Sequence, residues 1–340
     1  MGSDATGLRW LVVGASGFVG NAVAAELRGR GLDVATLGAP RLHSAATTAQ
    51  DLAQQARIAA TAAKAGPEAD AHAALLDAFA GVDVVVNAAG LATPGDAESP
   101  SLTGANALLP ALIALAAQAA GVGRVVHLSS ASVQGHRRVI DETPSRSPFS
   151  AYSRSKALGE EVLEVLTGGQ VPPTGQGVNV VTIRATSVQG PSRATTLSLA
   201  KIAASPLASV ASPGTAPTPV SSIDALAWFV VETGAFPGPV PALVLQPWEG
   251  LTVTDVLAAA GGQPPMVIPA WLCRPVLASG YFVSRVVGER LHGPLRRVEL
   301  MWLGQKQTPG WAEAVGLVPA ARIRAVLEGV SLTLQPDPLA

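Results

Sequence analysis

One short stretch near the N-terminus constrains the fold more than any other. The apolar run Leu8 to Val13 is typical of a buried strand, and it leads directly into a glycine-rich turn, Gly14 to Gly20 (GASGFVG). Residues 21–30 then have the composition of a helix. Strand, glycine-rich turn and helix in this order predict a dinucleotide-binding unit. The alternative is an ordinary glycine-rich loop.

Each glycine of the turn has its own physical reason. Gly14 allows a tight turn, Gly17 lets the backbone approach a pyrophosphate, and Gly20 lets helix and strand pack closely. The phosphates would lie at the N-terminus of the helix, where backbone N–H groups are free. The cofactor-binding residues predicted from this turn are Gly14, Ser16, Gly17, Phe18, Val19 and Gly20.

The end of the next strand bears on the choice of dinucleotide. Leu32 to Leu37 is predicted to be this strand, and an acidic residue after it usually accepts hydrogen bonds from the adenosine ribose. The position is Gly38 here, so no carboxylate repels a 2′-phosphate, and Arg41 can pair with one. NADP(H) is therefore favoured over NAD(H), unless Arg41 is merely a solvated loop residue.

Strands and helices alternate through the first half of the chain. Further buried strands are predicted at 82–90, 123–128 and 178–184, with a helix over 103–120 between the first two. This alternation indicates the α/β class, with a Rossmann-type doubly wound parallel sheet covered by helices on both faces. Residues 44–80 have a helical composition, and no chemical role is assigned to them.

The character of the chain changes after residue 191, where prolines mark irregular structure. We therefore expect an NAD(P)-binding Rossmann domain over 1–191, with 220–246 returning to it. A smaller C-terminal α/β substrate-binding region would comprise 192–219 and 247–330, followed by a tail, 331–340. The aromatic residues Trp271, Tyr281, Phe282 and Trp302 indicate core packing or, alternatively, a substrate pocket.

The residues with the clearest chemistry are Tyr152 and Lys156, which share one face at the start of a helix-like segment. An ammonium beside a phenol lowers the pKa of the phenol, so that it can exchange a proton with a substrate oxygen near neutral pH. Ser130, at a strand end twenty-two residues earlier, can hydrogen-bond the same oxygen. The alternatives are an exposed tyrosine, a solvated lysine and a serine that caps a turn.

Composition excludes several classes of function. The chain has 340 residues and a formal net charge of −1, which gives no electrostatic footprint for nucleic acid. Its single cysteine, Cys273, cannot form an intrachain disulfide and is expected to be a buried thiol, which favours a reducing compartment such as the cytoplasm. The five histidines lack metal-ligand spacing, so no metal site is predicted. The run 105–121 is too weakly apolar for an integral membrane segment.

Together these pieces resemble the extended short-chain dehydrogenase/reductases, the NAD(P)-dependent epimerase/dehydratase superfamily. The resemblance covers roughly residues 8–330. It rests on Gly14 to Gly20, the strand 81–90, Asn106, the segment 129–135, Glu142 before Pro148, Tyr152 to Lys156, Arg184 to Pro191, and Val220 to Asp224.

The resemblance implies a role for each matching residue. Tyr152 would be the general acid/base, Lys156 would bind the nicotinamide ribose and tune the tyrosine, and Ser130 would orient the substrate oxygen. Further cofactor-binding residues would be Gly38, Arg41, Ala88, Ala89, Gly90, Asn106, Tyr152, Lys156 and Ala185. Relatives often dimerise through two helices, which here would be those of Asn106 and Tyr152, so a homodimer is also an expectation.

Departures from the family pattern narrow the reaction. Ser-Ala-Ser at 130–132 lacks the Thr-Asp-Glu of sugar-nucleotide 4,6-dehydratases, which disfavours dehydration. Gly38 replaces the acidic residue usual in NAD-retaining epimerases, and Gln134 replaces a tyrosine. The expected function is an NADPH-dependent ketoreductase acting on a nucleotide-sugar or similar secondary alcohol or ketone. The alternatives are an NAD-dependent nucleotide-sugar epimerase, a hydroxysteroid-type dehydrogenase and a non-catalytic cofactor-binding protein.

Overall fold

The computed structural model describes residues 7–62, 66–92, 97–169, 177–286 and 291–334. The strands are β1 Arg9–Val13, β2 Asp33–Leu37, β3 Val84–Asn87, β4 Arg124–Ser130, β5 Val139–Ile140, β6 Asn179–Ala185, β7 Ser187–Gln189, β8 Ser209–Ala211, β9 Val220–Ser222, β10 Leu243–Leu245, β11 Met266–Ile268 and β12 Lys306–Gln307. The helices are α1 Phe18–Gly29, α2 Ala49–Thr61, α3 Pro67–Ala78, α4 Pro100–Thr103, α5 Leu109–Ala120, α6 Ala151–Thr167, α7 Ala194–Ala203, α8 Ile223–Ala235, α9 Val253–Gly261, α10 Ala270–Val286, α11 His292–Leu303, α12 Trp311–Ala314 and α13 Ile323–Leu334.

A six-stranded parallel sheet forms the centre of the protein. Its strand order is β10-β6-β4-β3-β1-β2, and every pairing within it is parallel. Val86, Val126 and Val181 are fully buried in it, as expected for strands covered on both faces. The strand order reverses beside β1, because β2 lies on one side of it and β3 on the other. Ligands of open α/β sheets bind at the carboxyl ends of the strands at such a point. The Rossmann-type prediction is confirmed.

Helices cover both faces of the sheet. On one face α1 and α8 pack together over a cluster that contains Trp10, Leu27 and Phe229. On the other face α2, α3, α5 and α6 enclose a cluster that contains Leu75 and Leu112. Each face therefore has its own hydrophobic core, and the carboxyl ends of the strands lie between the two helical layers.

The two helices of the segment 44–80, α2 and α3, cover part of this second face. Helix α2 packs against α5 and α6, and helix α3 packs against α5. These are the helices through which the sequence predicts a homodimer. Helix α2 therefore covers part of both helices, which gives the segment a structural role that the sequence did not suggest.

The helix that carries Asn106 is continuous from Pro100 to Ala120 and contains a π-helical segment, Gly104–Leu108. Among the described residues it is the one helix long and apolar enough to cross a membrane, by length and composition only. Most of it, 72% of the apolar window, is buried inside the protein, as in a core helix. A π segment inside an α-helix often marks a functional site.

The C-terminal residues form a second cluster and also return to the main sheet. Helices α7, α9 and α13 pack together, β8 pairs with β11, and β10 adds to the edge of the main sheet beside β6. The division into two domains stays a prediction. Of the predicted tail, residues 331–334 belong to α13, and 335–340 lie outside the described residues.

The prediction of core packing for the C-terminal aromatic residues is wrong for two of them. Trp271 is 72% exposed and Phe282 is 69% exposed, both on α10. Tyr281 and Trp302 are half-buried and donate hydrogen bonds to Glu299 and Ser209 at 2.7 and 3.1 Å. Cys273 is buried, as predicted.

Candidate active site

The glycine-rich turn links the first three strands of the sheet. Gly14 N–H donates a hydrogen bond of 2.9 Å to the carbonyl of Leu37 at the end of β2. Gly14 has a positive φ of 81°, and a Cβ there would lie 2.8 Å from the backbone of Ala89. A Cβ at Gly20 would meet the carbonyl oxygen of Gly14. Glycine is therefore required at 14 and 20 to bring the turn, α1 and the end of β3 into contact.

The N-terminus of α1 suits the pyrophosphate of a dinucleotide. Gly17 is the N-cap, no side chain bonds to the cap, and no acid stands in the first turn. The first N–H groups of a helix have no partner within it, and the helix dipole favours an anion there. Ser16 and Gly17 are exposed, and Phe18 and Val19 are half-buried. The residues present thus fit the cofactor that the turn predicts.

The end of β2 is exposed and has free space beside it. The bond from Gly14 to Leu37 brings Gly38 beside the turn, and a Cβ on Gly38 would meet nothing within 4 Å. Arg41 is exposed and has no hydrogen bond or ion pair with the part of the chain that the structure describes. An uncommitted guanidinium near this position can reach a 2′-phosphate.

Short side chains after β3 bring its backbone close to the turn. Ala88 N–H bonds to the carbonyl of Val13 at 3.0 Å, and Ala89 N–H bonds to Oδ1 of Asn87 at 3.1 Å. A Cβ on Gly90 would lie 3.0 Å from Nζ of Lys156. These contacts bring the residues at the end of β3 between the glycine-rich turn and the predicted catalytic lysine.

Asn106 lies beneath this backbone and is fully buried. Its Nδ2 donates to the Leu91 carbonyl and to Oγ of Ser155, both at 2.9 Å, and its Oδ1 accepts from Leu91 N–H at 3.0 Å. Both N–H donors are therefore committed within the protein. Asn106 fixes the backbone after β3 against α6, so its contribution to a cofactor site passes through that backbone.

Lys156 is almost completely buried. Its Nζ donates a hydrogen bond of 2.9 Å to the Leu128 carbonyl, which leaves two of its three N–H donors for other groups. Burial lowers the pKa of Lys156 from 10.5 to about 8, and the nearby carboxylate of Glu160 acts in the opposite direction. Glu160 is itself held by Arg184, through bonds of 2.8 and 3.1 Å, and by the Ser129 hydroxyl at 2.6 Å.

Ser130 and Tyr152 come together at the carboxyl end of β4. Ser130 is the last residue of β4, pairs in register with Ala185 of β6, and shares a hydroxyl contact of 2.8 Å with Ser132. Tyr152 is half-buried, and the Ser130 side chain acts on the pKa of its phenol. The expectation of a lowered phenol pKa is wrong for the protein by itself. Burial raises the pKa of Tyr152, while Ser130 and then Arg193 act to lower it.

Arg193 is a charged residue near Tyr152 that was not predicted from the sequence. This arginine begins α7, lies 5.0 Å above the ring of Phe18 in the glycine-rich turn, and donates a hydrogen bond to the Val188 carbonyl. It is the charged residue whose field favours the phenolate of Tyr152. The one sequence signal for this residue was its position, two residues after Gly190-Pro191 and shortly after β7.

A buried histidine was also missed. Nδ1 of His127 lies 3.0 Å from Nδ2 of Asn87, and Oδ1 of Asn87 in turn accepts from Ala89. Burial, together with the charge of Lys156, holds the pKa of His127 well below its usual value. His127 is therefore neutral near pH 7, accepts from Asn87, and helps to fix the backbone after β3.

Comparison with known proteins identifies the family. The sequence profile described as "NAD dependent epimerase/dehydratase family" matches residues 10–220, which is more than half of the chain. The chain belongs to this family. No curated protein matches the sequence.

Several solved structures share the fold of this epimerase/dehydratase chain. The UDP-glucuronic acid 4-epimerase of Bacillus cereus in complex with NAD is 16% identical, with a TM-score of 0.62 over 95% of this chain and 96% of that one. MoeE5 in complex with UDP-glucuronic acid and NAD is 18% identical, with a TM-score of 0.56 over 94% and 96%. The human epimerase family protein SDR39U1 with NADPH is 18% identical, with a TM-score of 0.57 over 96% and 100%.

These findings confirm the resemblance to extended short-chain dehydrogenase/reductases. The protein is an NAD(P)-dependent enzyme of that type. The glycine-rich turn, the end of β3, Ser130, Tyr152 and Lys156 lie at the carboxyl edge of the parallel sheet, within the matched residues.

Proposed function

We propose that this enzyme interconverts a secondary alcohol and a ketone on a nucleotide-activated sugar, with Tyr152 as the general acid/base. The observation that carries the proposal is the bond from Lys156 Nζ to the Leu128 carbonyl, which fixes α6, with Tyr152 one turn earlier, against the end of β4 where Ser130 lies. A phenol and a hydroxyl lie at the sheet edge where ligands of this fold bind, and the ammonium is one helical turn away.

The chain's own residues handle the proton and the orientation of the substrate. Tyr152 accepts the proton of the substrate hydroxyl during oxidation and returns it to the ketone oxygen during reduction. Ser130 donates a hydrogen bond to the same oxygen and holds it in place. Because burial raises the pKa of Tyr152, the phenol is protonated near pH 7 and is ready to act as the acid of the reductive step.

The cofactor would be held by groups already in place. The free N–H groups of α1 would bind the pyrophosphate, and Lys156, fixed by Leu128, would bind the nicotinamide ribose. A bound nicotinamide would accept the hydride from the alcohol carbon during oxidation and return it during reduction. Arg193 keeps a permanent positive charge near the phenol and favours its deprotonated form in the oxidative step.

The reaction that the comparisons favour is epimerisation. Two of the structural relatives bind NAD, and one of these is named a UDP-glucuronic acid 4-epimerase. We therefore place the epimerase first and ask whether the protein with NAD converts UDP-glucuronic acid or UDP-glucose into its 4-epimer. The expected result is an epimeric product by chromatography, with no net change in NADH absorbance.

A paired substitution tests the role of Tyr152. The chain has two tyrosines, so Tyr281→Phe is a matched control for Tyr152→Phe. We expect Tyr152→Phe to lower turnover by about 100-fold or more and to leave cofactor affinity nearly unchanged. Unchanged turnover in Tyr152→Phe would refute the mechanism, whichever substrate is used.

An NADPH-dependent ketoreductase is the second candidate, and Gly38 with Arg41 is the observation that favours it. A reductase would consume NADPH in proportion to product, whereas an epimerase would not. Fluorescence titration should give tighter binding of NADPH than of NADH, and Arg41→Ala should weaken NADPH binding about tenfold without affecting NADH. If Arg41→Ala weakened the binding of NADPH and NADH equally, a contact between Arg41 and the 2′-phosphate would be refuted.

The same assays address the remaining alternatives. Turnover of a hydroxysteroid but of no nucleotide sugar would indicate the dehydrogenase alternative. Cofactor binding without turnover of either substrate class would indicate a non-catalytic protein, although Ser130, Tyr152 and Lys156 are all present. The cytoplasmic location and the homodimer stay predictions.

A further inference from the structure

Helix α10 exposes an apolar face along its whole length. Trp271 and Phe282 lie eleven residues apart on one stripe of this face, with Val286 one turn further on. Leu272, Val276 and Val283 form a second stripe, also at helical spacing. All six side chains are exposed, Val286 to 74%. These six residues are called the α10 face below.

The opposite side of α10 is the side that packs on the protein. Cys273, Leu277 and Ser284 follow helical spacing and are buried. An amphipathic surface helix normally places polar residues opposite such a stripe. Helix α10 has apolar residues on both sides, so its outer face is suited to a second apolar environment.

The neighbouring strands extend this surface. Met266 and Val267 of β11 are exposed just before α10 begins, and Leu207 lies beside them because Met266 N–H bonds to the carbonyl of Ala208 at 2.8 Å. Large contiguous apolar patches on a protein surface usually mark an interaction site.

In the described residues of α10 and α11, the charged side chains that are exposed are arginines. Arg274 and Arg285 lie on the same flank of α10, and Arg297 is exposed on α11, which packs against α10. Within the described residues of α10 and α11 the one acid is Glu299, and it is already bonded to Tyr281 and Arg296 at 2.7 and 2.8 Å. The rim of the face is therefore cationic.

We propose that the α10 face docks on an anionic lipid surface, with the helix lying in the plane of the interface. A helix of 17 residues is about 25 Å long, and tryptophan or phenylalanine on one face with arginine beside it is the pattern of interfacial helices. The arginines meet anionic head groups while the apolar stripes enter the acyl boundary.

A second copy of the chain fits this face less well. A two-fold contact across α10 would bring the arginine flank of one helix toward that of the other, and α10 has no acidic residue to pair with them. An anionic lipid surface instead complements Arg274, Arg285 and Arg297, the exposed charges in the described residues of α10 and α11.

The helix pair α10 and α11 lies on the side of the protein that carries His136. Arg296 of α11 and Arg285 of α10 act electrostatically on His136, whose ring packs edge-on against Phe149, three residues before Tyr152. Docking through α10 would therefore hold this side of the enzyme close to the membrane. The proposal concerns the surface and does not depend on which substrate is turned over.

Vesicle flotation with the full-length protein tests the proposal. We expect the protein to float with vesicles of phosphatidylcholine mixed with phosphatidylglycerol, and to bind at least about tenfold more weakly to phosphatidylcholine alone. Phe282→Ser with Val286→Ser should abolish flotation, and Arg274→Glu with Arg285→Glu should abolish the preference for the anionic lipid. Brominated lipids should quench the fluorescence of the wild type more than that of Trp271→Phe.

The matched control replaces two exposed apolar residues elsewhere, Ile58→Ser with Leu332→Ser, and should float like the wild type. Circular dichroism should show that each variant is folded, as expected for substitutions at exposed sites. Absence of flotation, or flotation that survives Phe282→Ser with Val286→Ser, would overturn the proposal. Self-association without vesicles that this same variant abolishes would assign the face to a second copy and would also overturn it.

Discussion

Lys156 Nζ donates a hydrogen bond of 2.9 Å to the carbonyl oxygen of Leu128, two residues before Ser130 in the same strand. The bond ties α6 to the end of β4 and sets the position of Tyr152, one turn earlier on α6, relative to Ser130. Because Lys156 is only 5% exposed, the bond holds the ammonium in a buried position. This burial has a consequence for stability.

Stability should rise with pH between about pH 8 and about pH 10.5 because of Lys156. Burial lowers its pKa to about 8, whereas an unfolded chain keeps this proton up to about pH 10.5. In this window the unfolded state binds more protons, so the free energy of unfolding increases with pH. Between about pH 8 and about pH 9.5, the free energy of unfolding measured with urea should increase by about 2 kcal/mol more in the wild type than in Lys156→Met. Lys201→Met, at an exposed site, is the control and should follow the wild type.

Arg193 should set the pH dependence of the oxidative reaction. Its charge opposes the rise in the pKa of Tyr152 that burial causes. Arg193→Met should therefore move the rising limb of the pH–rate profile to higher pH, and it should lower kcat/KM at neutral pH by about tenfold or more. Arg193→Lys keeps the charge and should retain most of the profile. If Arg193→Met lowered the rate equally at every pH, Arg193 would only position the substrate or the cofactor.

Much of the fold and the site could be predicted because the responsible signals are local. The turn from Gly14 to Gly20 is defined by close approach of backbone atoms, which only glycine permits at 14 and 20. Tyr152 and Lys156 share a helix face through spacing alone. These features need no knowledge of which distant residues pack against them.

The remainder depended on long-range packing. The apolar composition of a helix such as α5 indicates that the helix is buried, but its own residues do not identify α2 as a helix that buries it. Arg193 reaches Phe18 and influences Tyr152 only because β7 and α7 bring it there. The hydrophobicity of Trp271 and Phe282 predicted that both are buried, but both are exposed in the chain by itself. Hydrophobicity does not indicate whether the surface that buries a side chain belongs to the same chain.

Gly20 and Gly29 offer a matched pair at two positions of α1. A Cβ at Gly20 would meet the Gly14 carbonyl oxygen, whereas a Cβ at Gly29 would meet nothing within 4 Å. Gly20→Ala should cost about 2 kcal/mol or more and should weaken cofactor binding, because the turn must open. Gly29→Ala should stabilise the protein by about 0.5–1 kcal/mol. Thermal unfolding and cofactor titration of both variants check this, and equal effects would contradict the close-packed turn.

The buried pair of Glu160 and Arg184 should be the most sensitive charged contact near the site. The side chains of both are almost completely inaccessible, and Arg184 also donates to the carbonyls of Asp141 and Thr143 at 3.2 and 2.8 Å. Glu160→Ala would leave the guanidinium buried without its carboxylate, and we expect a loss of about 3–5 kcal/mol in urea unfolding.

Two comparisons separate the charge of this pair from its volume. Glu161→Ala removes a more exposed carboxylate next in the helix and should cost less than about 1 kcal/mol. Replacing both partners by apolar residues, Glu160→Leu with Arg184→Met, should recover part of the loss, because the Arg184 guanidinium is then no longer buried without its carboxylate, although the buried Lys156 still loses the nearby charge of Glu160. If the double variant were as unstable as Glu160→Ala, the hydrogen bonds from Arg184 to Asp141 and Thr143 would be the more important contribution.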